Sequence, residues 1–274
     1  MSHWEQSLMP LPIGQAIAFY YYDLQKQQYE ILSSYYNVPY LSDARIEGSA
    51  NSFLTGFQVS SNIDITTYAP PATYLSRIVR YLGFDMEPHD LQWELGPGVI
   101  AATDFEAKII AYDVSLDKDD ESESLIITSG GHEIAHIVLK HDRLIEVAKK
   151  SVALNVPDEV QRIPRPTRLG SYVVCRRASG AKPRLEFMCD EFMGCLLMPR
   201  EMVAEFVRDH QEWCFKETAT GWAGMAQMMA RNFGVNHLAA AVRLTRLNYI
   251  GDVAQAGCRV RSIDGWKGSW GKSA

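Results

Sequence analysis

Two histidines and a glutamate, His132, Glu133 and His136, form the pattern H-E-x-x-H. On an α-helix, residues four positions apart lie about 40° apart around the axis and one turn apart along it, so both imidazoles can reach one metal ion. Imidazole nitrogens suit zinc, which lowers the pKa of a bound water to about 7, and a nearby carboxylate can take the proton. The spacing therefore predicts zinc on His132 and His136, with Glu133 as the general base.

The residues around the motif favour this interpretation over a helix that carries two surface histidines. Apolar side chains recur through the stretch from Ile126 to His141, which predicts a buried helix capped by Thr128 or Ser129. Gly130-Gly131 would allow a second backbone or a substrate to approach closely. The acidic run at 117–123 is expected to be a solvated loop that precedes this helix, because it lacks the glycine and spacing of an EF-hand calcium site.

A catalytic zinc needs a third protein ligand. His141 is the nearest candidate, but on a continuous helix its offset of five residues from His136 turns it about 140° away. The pattern H-E-x-x-H-x-x-G-x-x-H would need glycine at 139 and histidine at 142, where this chain has Leu139 and Asp142. That layout is rejected.

A second helix is predicted over 185–198, before Pro199, and it carries Glu186 and Asp190 on one face. Glu186 can complete a site of two histidines and one glutamate, while Asp190 can accept an N–H from a ligand histidine and fix its tautomer. Glu191 is the rival ligand, but it lies on another face of the helix and is expected to be exposed.

Two motifs together resemble a known family. H-E-I-A-H-I-V-L-K-H at 132–141 and E-x-x-C-D-x-F-x-x-x-L-L-M-P at 186–199 are similar to the motifs of the ImmA/IrrE metallo-endopeptidases. The resemblance covers about residues 42–250, loosely before the first motif. Cys189 and Met193 stand where that family usually has alanine, and both are tolerable packing changes.

The resemblance implies a zincin-like peptidase with zinc on His132, His136 and Glu186. Glu133 would be the general base, and Asp190 would lie behind a ligand histidine. The substrate implied is a DNA-binding transcriptional repressor of the helix-turn-helix type, cut to relieve repression of stress or mobile-element genes. The residues themselves do not indicate the substrate.

Composition is that of an ordinary globular protein, with 47% hydrophobic and 22% charged residues among 274. Five cysteines without a C-x-x-C pair indicate reduced thiols that pack in the interior. No apolar run could span a membrane and no secretory signal is evident, so the cytoplasm is the expected compartment. Residues 1–139 hold 6 Lys and Arg against 19 Asp and Glu, whereas 140–184 hold 11 against 4.

These patterns predict an α+β protein, with a zincin-like core of helices around a small sheet, followed by a helical region resembling a helix-turn-helix. The expected parts are an N-terminal extension at 1–40 containing an added helix over about 17–32, and the metallopeptidase domain at 41–205. A basic insertion at 142–184 includes a helix from Leu144 to Ala153 and a strand near Tyr172. The helical region follows at 206–250, and a tail at 251–274.

Other functions stay open on sequence grounds. The helices predicted at 222–232 and 236–248 would make the protein a DNA-binding regulator or metal sensor with a structural zinc. Few cations lie at the start of the second helix, where only His237 is close, and Arg243 and Arg246 come later. A packing or substrate-docking role is therefore favoured for these helices. A protein-interaction module without catalysis is the third hypothesis.

Overall fold

The computed structural model describes residues 19–23, 28–32, 41–95, 99–116, 120–142, 172–176, 184–210, 212 and 219–256. Within these ranges the chain is mainly helical, with one four-stranded mixed sheet and one separate two-stranded sheet. The predicted α+β class is confirmed at this level.

The mixed sheet consists of β3 (Asp85–His89), β4 (Val99–Asp104), β5 (Ile109–Asp113) and β6 (Tyr172–Arg176), in the order β3-β5-β4-β6. β4 pairs antiparallel with both β5 and β6, while β3 runs parallel to β5. The strand expected near Tyr172 is therefore confirmed. β4 is almost wholly buried, because it lies between two neighbouring strands and two helices contact it.

The described helices are α1 (Asp43–Ser61), α2 (Leu75–Tyr81), α3 (Leu91–Glu94), α4 (Asp120–Val138), α5 (Arg184–Leu197), α6 (Arg200–Asp209), α7 (Ala219–Phe233) and α8 (His237–Arg246). Helix α5 packs against α4 on one side and α1 on another, while α4 also contacts β4 and β5. One continuous apolar cluster joins side chains from α1, α2, α4, α5, α7 and α8. This core fixes α4 and α5 against each other.

Several helix ends follow from local chemistry. Gly83 takes a positive φ of 78° just after α2, a conformation that glycine adopts without strain. The Asn236 side chain accepts a hydrogen bond from the Ala239 amide at 2.8 Å and caps α8. The helix expected to end before Pro199 does so, since α5 ends at Leu197.

The added helix predicted over 17–32 is wrong for the residues that the structure describes there. Strands β1 (Phe19–Asp23) and β2 (Gln28–Leu32) form an antiparallel pair, with Phe19 opposite Leu32. Four successive aromatic residues, 19–22, favour extended backbone. The i, i+3, i+4 spacing of apolar residues did not distinguish the two states in so short a run.

The predicted start of the metal-binding helix is also wrong. α4 begins at Asp120, so Thr128 and Ser129 lie inside it and part of the expected acidic loop is helical. Thr128 donates its hydroxyl to the Ser124 carbonyl at 2.6 Å, which satisfies it within the helix. Asp and Glu in the first turn favour a helix N-terminus, so the acidic run is compatible with this earlier start.

Other predictions lie outside the described residues. They include the Gly96-Pro97-Gly98 turn, the helix at 144–153, most of the basic insertion and the tail beyond 256. The domain boundaries at 40, 205 and 250 stay predictions. No helix in the described part of the chain combines the length and apolarity needed to cross a bilayer.

Candidate metal centre

Helix α4 presents both histidines of the motif on its buried side. His132 and His136 are almost completely excluded from solvent, and their Nε2 atoms lie 3.3 Å apart. Two nitrogens that each lie about 2.0–2.1 Å from one ion at the tetrahedral angle are about 3.3 Å apart. The spacing of the two ring nitrogens is thus suited to a shared metal ion.

Helix α5 brings Glu186 to the same point. Its Oε2 lies 3.0 Å from His132 Nε2, and its Oε1 lies 3.6 Å from His136 Nε2. Glu186 is buried, and its Oε1 has no hydrogen-bond partner among the described residues. A buried carboxylate oxygen without a partner is costly unless a cation or proton satisfies it.

Two glycines of α4 permit this close approach. A Cβ atom at Gly131 would lie 2.8 Å from Leu197 Cδ1 and 3.1 Å from Met193 Cγ, both in α5. At Gly130 it would lie 3.0 Å from the side chains of Leu75 and Met86. The atoms that approach these glycines belong to side chains and not to the second backbone or substrate that was expected, and those at Gly131 come from the helix that carries Glu186.

Asp190 lies behind His132, as the sequence predicted. Its Oδ1 is 2.8 Å from His132 Nδ1. A carboxylate accepts hydrogen bonds, so this contact places a proton on Nδ1 and leaves Nε2 of the neutral ring with a lone pair. The side chain of Asp190 is about one-third exposed, at 36%, whereas His132, His136 and Glu186 are buried.

His141 occupies the equivalent place behind His136, which the sequence argument missed. The two Nδ1 atoms lie 2.9 Å apart, and both rings are buried. The helix is not continuous to 141: α4 ends at Val138, and Lys140 takes a left-handed φ of 62°. Burial first, with the charge of His132 adding to it, lowers the pKa of His141 to about 3, so its ring is neutral near pH 7.

The general base of the motif has its own partner. Thr103 in β4 donates its hydroxyl to Glu133 Oε2 at 2.6 Å, and both side chains are fully buried. A hydroxyl–carboxylate bond of this length is a strong, charge-assisted one. No sequence pattern indicated Thr103, because a threonine in a strand is ordinary and the contact joins residues 30 positions apart.

Cys189, which was expected to be a packing residue, also lies close to the two histidines of the motif. Cys189 lies with His132 and His136 in a buried group close enough to hold a metal ion. Its Sγ is 3.6 Å from His141 Nδ1, and burial raises the pKa of the thiol well above its usual value. Glu186 contacts the Nε2 atoms of both histidines, so Glu186 and Cys189 are both placed to be a third ligand.

Glu191, the rival ligand, was expected to be exposed, and this is wrong. It is buried, with Oε2 at 2.7 Å from Arg246 Nε in α8. Burial raises the pKa of Glu191, and the Arg246 guanidinium partly offsets this. Its face of α5 packs against α8 and not the histidines, so Glu191 is excluded as a ligand by position.

The electrostatics of the cluster fit a divalent cation. When both imidazoles carry their proton on Nδ1, the two Nε2 lone pairs and the Glu186 carboxylate face one another within 3.0–3.6 Å. Three acceptors at this separation repel unless positive charge lies among them. Two imidazoles and one carboxylate form a common donor set of catalytic zinc.

The chain matches no protein-family model and no curated protein. The resemblance carried by the two motifs therefore stays an expectation. Any statement about function depends on the residues and their geometry.

Proposed function

We propose that the protein is a zinc-dependent endopeptidase with a zincin-like core. The observation that carries the proposal is the convergence of His132 Nε2, His136 Nε2 and the Glu186 carboxylate next to Glu133. Three protein ligands leave a fourth zinc position for water, which is the arrangement of catalytic rather than structural zinc.

Zinc held by these residues would supply a water of pKa about 7 and a Lewis acid for a peptide carbonyl. Glu133 would take the proton of that water at Oε1 and deliver it to the leaving amide nitrogen. Thr103 holds the other oxygen, Oε2, and so fixes the direction of the carboxylate. Asp190 keeps the His132 proton on Nδ1, opposite the ligand nitrogen.

The substrate class is supported only by the resemblance of the two motifs. We propose a protein substrate of the helix-turn-helix repressor type, cut at one site in the cytoplasm.

The experiment that tests the proposal is the Glu133→Gln variant. Zinc content by metal analysis should equal that of the parent, while cleavage of a candidate repressor, followed by mass spectrometry, should fall about 100- to 10,000-fold. Glu201→Gln is the matched control, because Glu201 is exposed on α6 and distant in sequence from the motif. A Glu133→Gln protein that cuts at the parent's rate would contradict the catalytic assignment.

A second candidate is a metal sensor or regulator with a structural zinc, and Cys189 is the observation that favours it. With His132, His136 and Glu186, a Cys189 thiolate would close the coordination sphere to four protein ligands. Cys189→Ala distinguishes the two functions. A loss of zinc affinity as large as in Glu186→Ala supports the sensor, and near-parent affinity with retained cleavage supports the peptidase.

Direct DNA binding by the C-terminal helices has less support. Arg243 is buried and pairs with Glu47 at 2.8 Å, and Arg246 pairs with Glu191 and Asp43. These cations already have carboxylate partners, so contacts from them to DNA phosphates would break interior ion pairs. Retention on duplex DNA at moderate salt would reopen this role.

A further inference from the structure

The two ligand histidines have chemically different partners on their Nδ1 sides. His132 faces the Asp190 carboxylate at 2.8 Å, and His136 faces the His141 imidazole at 2.9 Å. A carboxylate accepts the proton, so the tautomer of His132 is decided by its partner. A neutral imidazole can donate or accept, so the tautomer of His136 depends on which of the two rings carries the shared proton.

The shared proton has two possible positions with opposite consequences. If His141 donates from Nδ1, His136 accepts there and carries its own proton on Nε2, the atom 3.3 Å from His132 Nε2. A protonated Nε2 has no lone pair and binds no metal. If His136 donates, its Nε2 has a lone pair and His141 carries its proton on Nε2. Only the second arrangement is compatible with metal binding at this site.

We propose that His141 is a positioning residue of the metal centre: its Nδ1 accepts the Nδ1 proton of His136 and thereby keeps the ligand nitrogen of His136 deprotonated. The proposal rests on the metal-binding half of the proposed function and not on peptide hydrolysis. It assigns to His141 the role that Asp190 has for His132, with a neutral group in place of an anion.

The surrounding structure holds the His141 ring in this position. Lys140 takes a left-handed backbone conformation immediately before it, which turns the chain out of α4 and brings residue 141 back toward the histidines. The rings of His136 and His141 meet edge to face, with centroids 4.9 Å apart. Cys189 Sγ lies 3.6 Å from His141 Nδ1 in the same buried region. A ring confined in this way can fix the tautomer of its neighbour.

A neutral partner also limits the negative charge of the site. Glu133, Glu186 and Asp190 already place three carboxylates around the two ligand histidines. A fourth anion behind His136 would have to be buried, because position 141 is almost completely excluded from solvent. A histidine supplies the acceptor without that charge.

The test compares two substitutions of His141 by their zinc dissociation constants, measured by competition with a chelator of known affinity. His141→Leu removes the acceptor, and zinc should bind about 10- to 100-fold more weakly. His141→Asn places a carbonyl oxygen near the position of Nδ1, and affinity should stay within about threefold of the parent. His210→Leu is the control, because His210 Nδ1 bonds the Phe206 carbonyl at 2.8 Å in α6.

Two results would overturn the proposal. One is parent-like zinc affinity in His141→Leu, and the other is an equal loss in the Leu and Asn variants, which would indicate packing rather than acceptance of a proton. Melting of the metal-free proteins shows whether each variant is folded.

A measurement on the unmodified protein covers the case in which His141→Leu does not fold. Nitrogen-15 NMR of the zinc-loaded protein should show His141 protonated on Nε2 and not on Nδ1, and the reverse tautomer would refute the role. Neither measurement uses a peptide. A protein that binds zinc with the expected tautomers but hydrolyses nothing would contradict the proposed function while supporting this inference.

Discussion

Helix α5 buries a carboxylate on each of two faces, and the two carboxylates have different partners. Glu191 meets the guanidinium of Arg246 at 2.7 Å, whereas Glu186 meets the imidazoles of His132 and His136. A guanidinium is charged at every physiological pH and neutralises its carboxylate. An imidazole neutralises a carboxylate only when it is protonated. Both carboxylates are buried, so burial alone does not distinguish a candidate metal ligand from a member of a structural ion pair. The two carboxylates differ in whether the partner carries a permanent charge.

The two faces of α5 have different roles. On the face with Glu186, the described partners are imidazoles and not a permanent cation, and in our proposal a metal ion supplies the positive charge. The face with Glu191 joins α5 to α8, and the charge of its carboxylate is balanced by Arg246. Substitutions on the first face should change zinc affinity, and those on the second should change the free energy of unfolding.

The largest expected effect is that of Glu186→Ala. Zinc sites in small domains bind with about 10–16 kcal/mol, so one of four ligands carries roughly 3–4 kcal/mol, or about 100- to 1,000-fold in affinity. Chelator competition measures this. Glu191→Gln should leave the affinity unchanged, and a loss of equal size in that variant would remove the distinction between the two faces.

The next effect is expected for Arg246→Met. This change leaves Glu191 buried without its guanidinium, which should lower the free energy of unfolding by about 3 kcal/mol. Urea denaturation measures the loss, and zinc affinity should not change.

The double variant Glu191→Leu with Arg246→Met is the control for this result. It removes both charges and should recover most of the stability, as expected when apolar side chains replace a buried ion pair. A double variant as unstable as Arg246→Met alone would show that packing of the long Arg246 side chain, and not its charge, is what α8 needs.

A smaller effect is expected for Thr103→Val, which keeps the shape of the side chain and removes the hydroxyl bonded to Glu133. Loss of a charge-assisted bond should lower kcat about tenfold, corresponding to roughly 1.4 kcal/mol, with zinc content unchanged. Thr103→Ser should restore most of the rate. If Thr103→Val changes KM alone, Thr103 does not act through the general base.

The smallest effect concerns pH and a third carboxylate. Glu47 is held by Arg200 and Arg243: burial would raise its pKa, but the hydrogen bonds from the two guanidinium groups outweigh burial and the pKa is lowered. Its contribution to stability is therefore present above about pH 4.5, the usual glutamate value, and is lost as pH falls through the lowered pKa.

Glu191 should show the opposite pH dependence. Its pKa is raised by burial, so its contribution is largest at low pH and declines as pH rises above about 4.5. Melting temperatures of Glu47→Gln and Glu191→Gln between about pH 3 and 7 test this. Relative to the parent, Glu47→Gln should become less stable as pH rises and Glu191→Gln more stable. Slopes of the same sign would show that the partner does not set the titration.

Sequence was sufficient for the parts of the site that follow from helical periodicity. The spacing of His132, Glu133 and His136, and of Glu186 and Asp190, is repeated in the structure because both stretches are long, regular helices. Their encounter across more than 40 intervening residues could be inferred only from chemistry, since two histidines needed a third ligand.

The missed residues share a physical cause. The position of His141 could not be predicted, because the helix breaks at Lys140. Lys140 takes a positive φ although it is not a glycine. Thr103 and the burial of Glu191 depend on contacts with β4 and α8, which no local pattern encodes. The strands β1 and β2 were mistaken for a helix because a short apolar run fits both periods.

The absence of a side chain at Gly131 bears on how such a centre is recognised or rebuilt. A structural search for similar metal centres, or the transfer of this centre to another protein, would omit Gly131 if it considered only the residues with nitrogen or oxygen ligands. Gly131 is the position at which α4 lies against Leu197 and Met193 of α5. A Cβ at Gly131 would lie 2.8 Å from Leu197 Cδ1 and 3.1 Å from Met193 Cγ, so these α5 side chains would have to shift to admit it. A description of this metal centre therefore has to include the spacing between α4 and α5. It also has to include Gly131, which has no functional group but permits that spacing.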